Sequence, residues 1–251
     1  MSTIPYTILE DAPAIGKASG NEAALKIKEA IAQRGTANVI LATGTSQFET
    51  LQQLLQDKEI DWSCVNMFHL DEYIGLPVTH QASFRKYLIE RFINHIPQLK
   101  ATHLIDGEAN PAAECARLGA LILQHPIDVC LCGIGENGHL AFNDPPADFE
   151  TTSPYIVVNL DEACRKQQWG EGWFATLDDV PKQAISMSVH QIMQSAHIIC
   201  TVPDTRKAAA VKACLENPVS NLHPASILQQ HASCSLYLDK AAASLLAVGK
   251  P

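Results

Sequence analysis

The sequence has few basic residues and no long apolar run, and these two absences exclude several classes of protein. Lys and Arg total 18 against 27 Asp and Glu, which gives a net charge of −9. Nucleic-acid binding is disfavoured, because affinity for a phosphate backbone comes from clustered Lys and Arg. No window of about 18 apolar residues is present, so we expect no membrane span. The first residues lack the basic start and apolar stretch of a signal peptide, which favours a cytoplasmic protein.

Glycine and proline are not abundant, at 13 and 14 residues, which excludes a collagen-like chain or a linker. A hydrophobic content of 47% excludes a disordered chain. The eight cysteines include no C-x-x-C pair, and several lie in apolar, strand-like runs, namely Cys64, Cys130, Cys132, Cys200 and Cys234. We therefore expect reduced, buried thiols rather than disulfides or a zinc site.

Short apolar runs alternate with segments of helical period along the whole chain. Strands are predicted at residues 38–42, 64–70, 102–105, 127–133, 155–160, 197–202 and 233–238. Helices are predicted at 21–34, 46–56, 83–96, 110–124, 204–216 and 239–248, the fourth with Asn110 as N-cap and Pro111 as its first residue. This alternation predicts a doubly wound, mostly parallel α/β sheet of the Rossmann-like type, with ligands at the carboxyl ends of its strands. Because no repeat or linker interrupts it, we expect a single domain over residues 1–251.

A hydroxyl-rich turn, Thr43-Gly44-Thr45-Ser46, follows the strand predicted at 38–42. Ser46 and Glu49 have the spacing of a capping box that opens a helix. Backbone N–H groups at such a helix start, together with the hydroxyls, suit a phosphate group. The turn has one glycine and fits neither the Walker A nor the dinucleotide pattern, so an ordinary capped helix is the alternative interpretation.

Two adjacent carboxylates, Asp71 and Glu72, follow the apolar run at 64–70. A carboxylate at the end of a buried strand destabilises the folded protein unless it is solvated or has a functional role. Successive strand residues point in opposite directions, so only one of the two can face a given pocket. That one could act as a general base with a pKa raised by burial; a solvated acidic turn is the alternative.

A glycine-rich loop that contains His139 follows the strand predicted at 127–133. Its glycines at 133, 135 and 138 let the backbone turn sharply and approach a ligand closely. Asp144 is near enough in sequence to orient the imidazole ring. The arrangement favours acid–base work by His139, with a hydrogen-bonded structural histidine as the alternative.

Together these three loops resemble the glucosamine-6-phosphate deaminase (isomerase) family, which shares its fold with the 6-phosphogluconolactonases. The matching segments are ATGTS at 42–46, LDEYIGL at 70–76 and GIGENGHLAFN at 133–143. Later matches are VPKQAISM at 180–187, the KA and AV pairs within 207–211, and PASILQQH at 224–231. They follow the family's order and cover nearly the whole chain. The Asp-Glu-Tyr and His-Leu-Ala-Phe-Asn runs favour the deaminase branch.

The resemblance implies an enzyme that isomerises and deaminates an amino-sugar 6-phosphate, foremost glucosamine 6-phosphate, without a metal or organic cofactor. It implies that Asp71 is the base that moves a proton between C2 and C1. It also implies that His139, supported by Asn137 and Asp144, opens the sugar ring. Asp144 stands where the family usually has Glu, and Asn137 where many members have Asp.

The resemblance also implies which residues hold the phosphate group: Thr43, Gly44, Thr45, Ser46, Lys207 and Arg165. The family supplies a further arginine before an aromatic pair, where this chain has Trp, Gly and Glu at 169–171. Arg165 and Arg206 are therefore both candidates for a second cation near the turn. Residues 161–182, with Trp169 and Trp173, are expected to form a mobile lid, with a rigid tryptophan-anchored loop as the alternative.

The departures from the family pattern leave two other functions open. One is a related isomerase or a lactonase that acts on another sugar phosphate, and the other is a non-catalytic sugar-phosphate sensor. The paired Asp71 and His139 count against the sensor, because binding alone needs no positioned base. The expected partner is a small-molecule sugar phosphate. A homo-oligomer is possible, since the family contains both monomers and larger assemblies.

Residues 143–161 contain no Lys or Arg. In the family that this chain resembles, the allosteric members bind the phosphate of their activator through basic residues in this segment. We therefore predict that N-acetylglucosamine 6-phosphate does not activate the enzyme through this site. The measurement is the rate of ammonia release with and without that compound at subsaturating substrate. A clear rise in rate would contradict the prediction.

Overall fold

The computed structural model describes residues 4–96 and 98–247, which contain ten strands and seven α-helices. The strands are β1 (Tyr6–Leu9), β2 (Ala37–Leu41), β3 (Val65–His69), β4 (Asp71–Tyr73), β5 (Ala101–His103), β6 (Val129–Cys132), β7 (Tyr155–Asn159), β8 (Gln183–Met187), β9 (His197–Val202) and β10 (Cys234–Asp239). The helices are α1 (Ala12–Arg34), α2 (Phe48–Gln56), α3 (Phe84–Arg91), α4 (Pro111–Ile122), α5 (Glu162–Gly170), α6 (Val189–Met193) and α7 (Ala208–Glu216).

Seven strands form one parallel sheet in the order β1-β10-β9-β6-β2-β3-β5. From β2 the chain moves outward through β3 to β5, and it then returns to place β6 on the other side of β2. The loops that leave β2 and β6 therefore diverge and open a crevice between them. Every residue of β2, β3 and β6 is buried, as expected for strands covered on both faces. The predicted doubly wound, mostly parallel fold is confirmed.

The remaining strands form a smaller antiparallel sheet in the order β4-β8-β7, which sequence analysis did not predict. Leu70 joins the two sheets: its N–H donates to Leu41 O at 3.2 Å, and its carbonyl accepts from Met187 N at 2.9 Å. The strand predicted at 155–160 is present, but it belongs to this second sheet, where its burial alternates. Asp71 therefore begins a strand of the small sheet, two residues after β3 ends in the large one.

The start of α4 agrees with its predicted cap, whereas the starts of α1, α2 and α7 differ. Asn110 accepts a hydrogen bond from Ala113 N, and Pro111 is the first helical residue. The first helix begins at Ala12 rather than at residue 21, because the Asp11 side chain caps it. Helix α7 begins at Ala208 rather than at residue 204, after a 3₁₀ turn at Thr205–Lys207.

The capping box predicted for Ser46 and Glu49 is wrong. Residues Thr45–Gln47 form a short 3₁₀ turn without a side-chain cap, and α2 begins only at Phe48. Ser46 thus lies one step too early to cap the α-helix.

Of two further predicted helices, one is shorter in the structure and the other is not formed over its described part. The helix predicted at 83–96 ends at Arg91 and is followed by a 3₁₀ turn, Ile93–His95. The helix predicted at 239–248 is wrong over its described part, because Asp239 closes β10 and residues 240–246 form turns and bends; residue 248 lies outside the described residues.

All eight cysteines are free thiols, and six of them are buried. Cys130 and Cys132 point to the same side of β6 and pack in the same apolar core. None of the described helices is long and apolar enough to cross a membrane.

Helices α1 and α2 pack so closely that only glycine fits at two positions of α1. A Cβ atom at Gly16 would lie 2.2 Å from Glu49 Cβ, and one at Gly20 would lie 2.6 Å from Gln53 Cβ. We predict that Gly16→Ala lowers the free energy of unfolding by about 1–3 kcal/mol, because the helices must move apart. Urea denaturation measures the change.

The matched control is Gly119→Ala in α4, where the new Cβ would meet only Pro154, at 3.6 Å. We expect this variant to be as stable as the parent or more stable by up to about 1 kcal/mol, since alanine favours a helix. Equal stability of the two alanine variants would contradict the packing argument.

Candidate active site

A cavity of about 160 Å³ opens at the crevice between the loops that follow β2 and β6. Its walls come from the 43–46 turn, residues 70–71, the segment that contains α3, the 133–142 loop and the segment at 167–173. Seven of the predicted site residues line it: Thr43, Gly44, Thr45, Ser46, Asp71, His139 and Lys207. Asn137 and Asp144 contact the His139 residue from behind the wall, and Arg165 lies elsewhere.

The 43–46 turn is held open by its backbone and by a buried glutamine. Gly44 has a φ of +96°, a conformation that glycine adopts without strain. The Gln47 amide donates to Cys132 O at 3.0 Å and to Thr201 Oγ1 at 2.8 Å, which ties the turn to β6 and β9. Within the described part of the chain, the backbone N–H groups of Thr45 and Ser46 have no protein acceptor. They are therefore available to an anion.

The adjacent carboxylates Asp71 and Glu72 have opposite environments. Glu72 is fully buried and accepts four hydrogen bonds, from the N–H groups of Tyr73, Phe84 and Arg85 and from the Ser83 hydroxyl. It thereby holds the start of α3 against β4. Asp71 faces the cavity, and no hydrogen bond from the described residues reaches its carboxyl group. The expectation that only one of the two faces the pocket is confirmed.

Burial, reinforced by the neighbouring charge of Glu72, raises the pKa of Asp71 to about 8. A carboxyl group with such a pKa is a stronger base than an exposed one and exchanges a proton near neutral pH. The position and the pKa of Asp71 both suit a general base for a ligand in the cavity.

The imidazole of His139 lies against a carboxylate on the far side from the cavity. His139 Nδ1 is 3.1 Å from Asp144 Oδ1, so the shorter aspartate side chain does reach the ring. The Asn137 amide donates to Asp144 Oδ1 at 3.0 Å and to Asp161 Oδ2 at 3.2 Å, and Asp161 N donates to Asp144 Oδ2 at 3.0 Å. Burial alone would raise the pKa of Asp144, but its contact with the His139 ring and the hydrogen bond from Asn137 hold it below its ordinary value.

Gly135 makes room for the histidine ring. A Cβ atom at this position would lie 2.2 Å from the ring atoms of His139, so no larger residue fits. The glycine-rich loop is therefore required for close approach of the backbone to the imidazole.

The three basic residues proposed for the phosphate group have different positions. Lys207 lines the cavity, and burial lowers its pKa. Arg165 instead donates to Val180 O at 3.2 Å and to Leu177 O at 2.6 Å, so its predicted phosphate contact is not supported by its position. Arg206 pairs with Asp204 at 2.8 Å and with Glu136 at 3.6 Å.

Sequence reasoning missed several residues that line the cavity or fix its wall. The missed residues are Gln47, Gln81, Lys86, Tyr87, Glu90 and Arg91. The segment predicted as a lid also contributes Gln167, Gln168 and Glu171 to the lining and Asp161 to the wall, although no role was assigned to these residues individually. Gln168 accepts from Tyr73 OH at 2.8 Å, which joins α5 to β4. Capping by Asp161 of α5 follows from its place before a helical run; the cavity-lining residues of α3 carry no such local signal.

Possible metal ligands meet at one place among the described residues. One ligating atom each of His139, Asp144 and Cys164 lies within 4.8 Å of the others. Both carboxylate oxygens of Asp144 already accept hydrogen bonds, from Asn137 and from Asp161 N. The expectation that no metal is needed stays a prediction.

The fold and the cavity together define an α/β protein whose cavity brings together the carboxyl group of Asp71, the imidazole of His139 and the backbone N–H groups of the 43–46 turn. The sequence model described as glucosamine-6-phosphate isomerases/6-phosphogluconolactonase matches residues 10–237. The chain belongs to this family.

Two curated relatives and two solved structures illustrate the similarity. A glucosamine-6-phosphate deaminase of Streptococcus equi subsp. zooepidemicus is 38% identical over 221 residues, which cover 88% of this chain and 92% of that one. One of Lactobacillus delbrueckii subsp. bulgaricus is 32% identical over 240 residues, covering 95% and 98%. A monomeric glucosamine-6-phosphate deaminase structure has a TM-score of 0.87 at 30% identity, covering 96% and 100%. The 6-phosphogluconolactonase of Trypanosoma brucei has a TM-score of 0.80 at 17% identity, covering 98% and 100%, and shares the fold.

The raised pKa of Asp71 links folding to pH. Since the folded chain holds this proton up to about pH 8 while the unfolded chain releases it near its ordinary value of 3.8, this group makes the wild type less stable as pH rises between them. We predict that Asp71→Asn unfolds at higher urea concentration than the wild type, with a difference that grows from about pH 5 to about pH 8. Asp148→Asn, at an exposed carboxylate, is the control for lost surface charge. A pH-independent difference would contradict the raised pKa.

Proposed function

We propose that this chain converts glucosamine 6-phosphate and water to fructose 6-phosphate and ammonia. The observation that carries the proposal is that Asp71, His139 and the 43–46 turn line one cavity. An anion site fixes one end of the substrate, and two acid–base groups on separate loops can then serve two proton transfers. The curated relatives at 32–38% identity, which are named glucosamine-6-phosphate deaminase, support the same reaction.

In the proposed mechanism His139 acts first, on the closed sugar. Its imidazole takes the proton of the C1 hydroxyl and delivers a proton to the ring oxygen, so that the C1–O5 bond breaks and an open aldehyde forms. Asp144 and Asn137 keep the ring of His139 in position for this step. They are positioning residues, since neither lines the cavity.

Asp71 then carries out the isomerisation. Its carboxylate takes the proton from C2 and returns it to C1, while one proton of the substrate's ammonium group passes to O1. The aldehyde at C1 thereby becomes a CH2OH group and the C2–N bond becomes an imine. The resulting C2 imine adds water and loses ammonia as the C2–N bond breaks. We propose that the protein's own side chains suffice for these steps, without a metal or organic cofactor, and that the reaction belongs to cytoplasmic catabolism of N-acetylglucosamine.

We further propose that the chain is one domain and that residues 161–182 close over the bound substrate. Gln167, Gln168, Glu171 and Trp173 of this segment line the cavity, which supports a role as its cover. Arg165, which bonds the carbonyls of Leu177 and Val180, fits this role as a brace within the lid.

Ammonia release from glucosamine 6-phosphate tests the proposed function directly. The wild type should release ammonia and fructose 6-phosphate in equal amounts, and each product can be followed by a coupled enzyme. A panel that includes other hexosamine 6-phosphates, hexose 6-phosphates and 6-phosphogluconolactone separates the rival functions. Hydrolysis of 6-phosphogluconolactone without ammonia release from any amino sugar would show a lactonase instead of a deaminase. Tight binding of a sugar phosphate without any turnover would favour a non-catalytic sensor.

Asp71→Asn should lower kcat by about 100- to 10,000-fold, the range for loss of a general base. Binding of fructose 6-phosphate, measured by calorimetry, should change little, because the amide keeps the shape of the side chain. The control Asp148→Asn, at an exposed carboxylate outside this cavity, should keep wild-type kcat. Retained turnover in Asp71→Asn would remove Asp71 from the base role.

A further inference from the structure

Three cationic side chains line the cavity: Lys86, Arg91 and Lys207. Lys207 lines the same cavity as the 43–46 turn and is buried, which lowers its pKa. Lys86 donates to Thr79 O at 3.2 Å, which uses its ammonium group at the start of α3. Arg91, the last residue of α3, is exposed at the cavity.

Aromatic contacts place Arg91 next to the 43–46 turn. Its guanidinium carbon lies 4.2 Å from the ring centroid of Phe48 and 5.5 Å from that of Tyr87. Phe48, with which α2 begins, is two residues after Ser46 of the turn, and Tyr87 OH donates to Gly44 O of the turn at 3.1 Å. The two rings stack with centroids 5.5 Å apart. Arg91 is thus held at the turn by residues that themselves contact it.

Arg91 has no polar partner among residues 4–96 and 98–247. Other arginines near the site are engaged: Arg85 with Asp106 and Glu108, Arg165 with two carbonyls, and Arg206 with Asp204. A guanidinium that rests on aromatic faces keeps its N–H donors free in the plane of the group. Those donors remain available to a ligand.

We propose that Arg91 binds the phosphate group of the substrate together with Lys207 and the 43–46 turn. This inference deepens the proposed function and rests on it for the identity of the sugar. Planar, forked N–H donors match two oxygens of a phosphate group, which an ammonium group cannot do. The turn supplies neutral donors, so Arg91 adds charge at the open side of the subsite while Lys207 adds it from the buried side.

A purely structural role for Arg91 is the competing explanation. A cation in the last turn of a helix is favoured by the helix dipole, and stacking on Phe48 and Tyr87 adds packing. Such a role predicts a loss of stability when Arg91 is replaced but no selective loss of phosphate affinity. Binding and stability measurements on the same variants therefore separate the two roles.

The experiment uses Arg91→Met, which keeps an unbranched side chain over Phe48, and Arg91→Lys, which keeps the charge without the fork. Lys58→Met is the matched control, because Lys58 is an exposed cation beyond the far end of α2. Binding of inorganic phosphate is measured by calorimetry, KM and kcat are measured with glucosamine 6-phosphate, and Tm is measured for each variant.

For Arg91→Met we expect phosphate affinity to fall about 10- to 100-fold and KM to rise by a similar factor, with kcat changed less than KM. Arg91→Lys should recover part of the loss, and Lys58→Met should behave as the wild type. Unchanged phosphate affinity in Arg91→Met would overturn the inference. The two proposals can fail separately. If the wild type releases no ammonia but Arg91→Met binds phosphate more weakly than the wild type, the proposed deaminase reaction is wrong and the phosphate contact is supported.

Discussion

The parallel pairing of β2 with β6 is the contact on which the site depends. It places two strands that are far apart in sequence side by side, with Val39 opposite Val129 and Ile40 opposite Cys130. Because connections on the two sides of this pair run in opposite directions, the chain leaves both strands without a helix crossing between them. The 43–46 turn and the His139 loop line the crevice that is left between them. Gln47 holds the 43–46 turn in place beside β6 and β9, because its amide donates to the carbonyl of Cys132 and to the hydroxyl of Thr201.

The two adjacent buried carboxyl groups differ in role: Asp71 faces the cavity, and Glu72 supports the start of α3. Glu72 receives four hydrogen bonds, and its negative charge lies at the amino end of α3, where the helix dipole favours it. The same carboxylate adds to the burial that raises the pKa of Asp71. One residue therefore both positions α3 beside the cavity and adjusts the basicity of its neighbour. Replacing Glu72 would disturb both effects together, so Asp71 is the cleaner residue for separating chemistry from structure.

Sequence alone predicted the residues that lie at strand ends, because a doubly wound sheet brings these ends together. Asp71 and His139 were found in this way, each from a short polar motif after an apolar run. The three-residue strand β4 and the small antiparallel sheet were missed, since so short a segment has no detectable period. The predicted phosphate contact of Arg165 lacks support from its position for a different reason: its partners are backbone carbonyls at 177 and 180, and backbone atoms leave no pattern of side chains. The contribution of Arg91 depends on how α3 packs against α2, which no local motif encodes.

The net charge of −9 makes the holding of an anion a local problem. Backbone N–H groups at a turn carry only partial positive charge, so they destabilise the ligand-free protein little. A buried ammonium group carries a full charge, and without a bound anion it has lost its hydration with nothing to replace it. The lowered pKa of Lys207 expresses that cost, and a bound phosphate would offset it. Arg91 avoids the same cost because it stays exposed and rests on two aromatic rings. A site built from one buried cation, one exposed cation and neutral donors can therefore bind a phosphate strongly while the unoccupied protein remains stable.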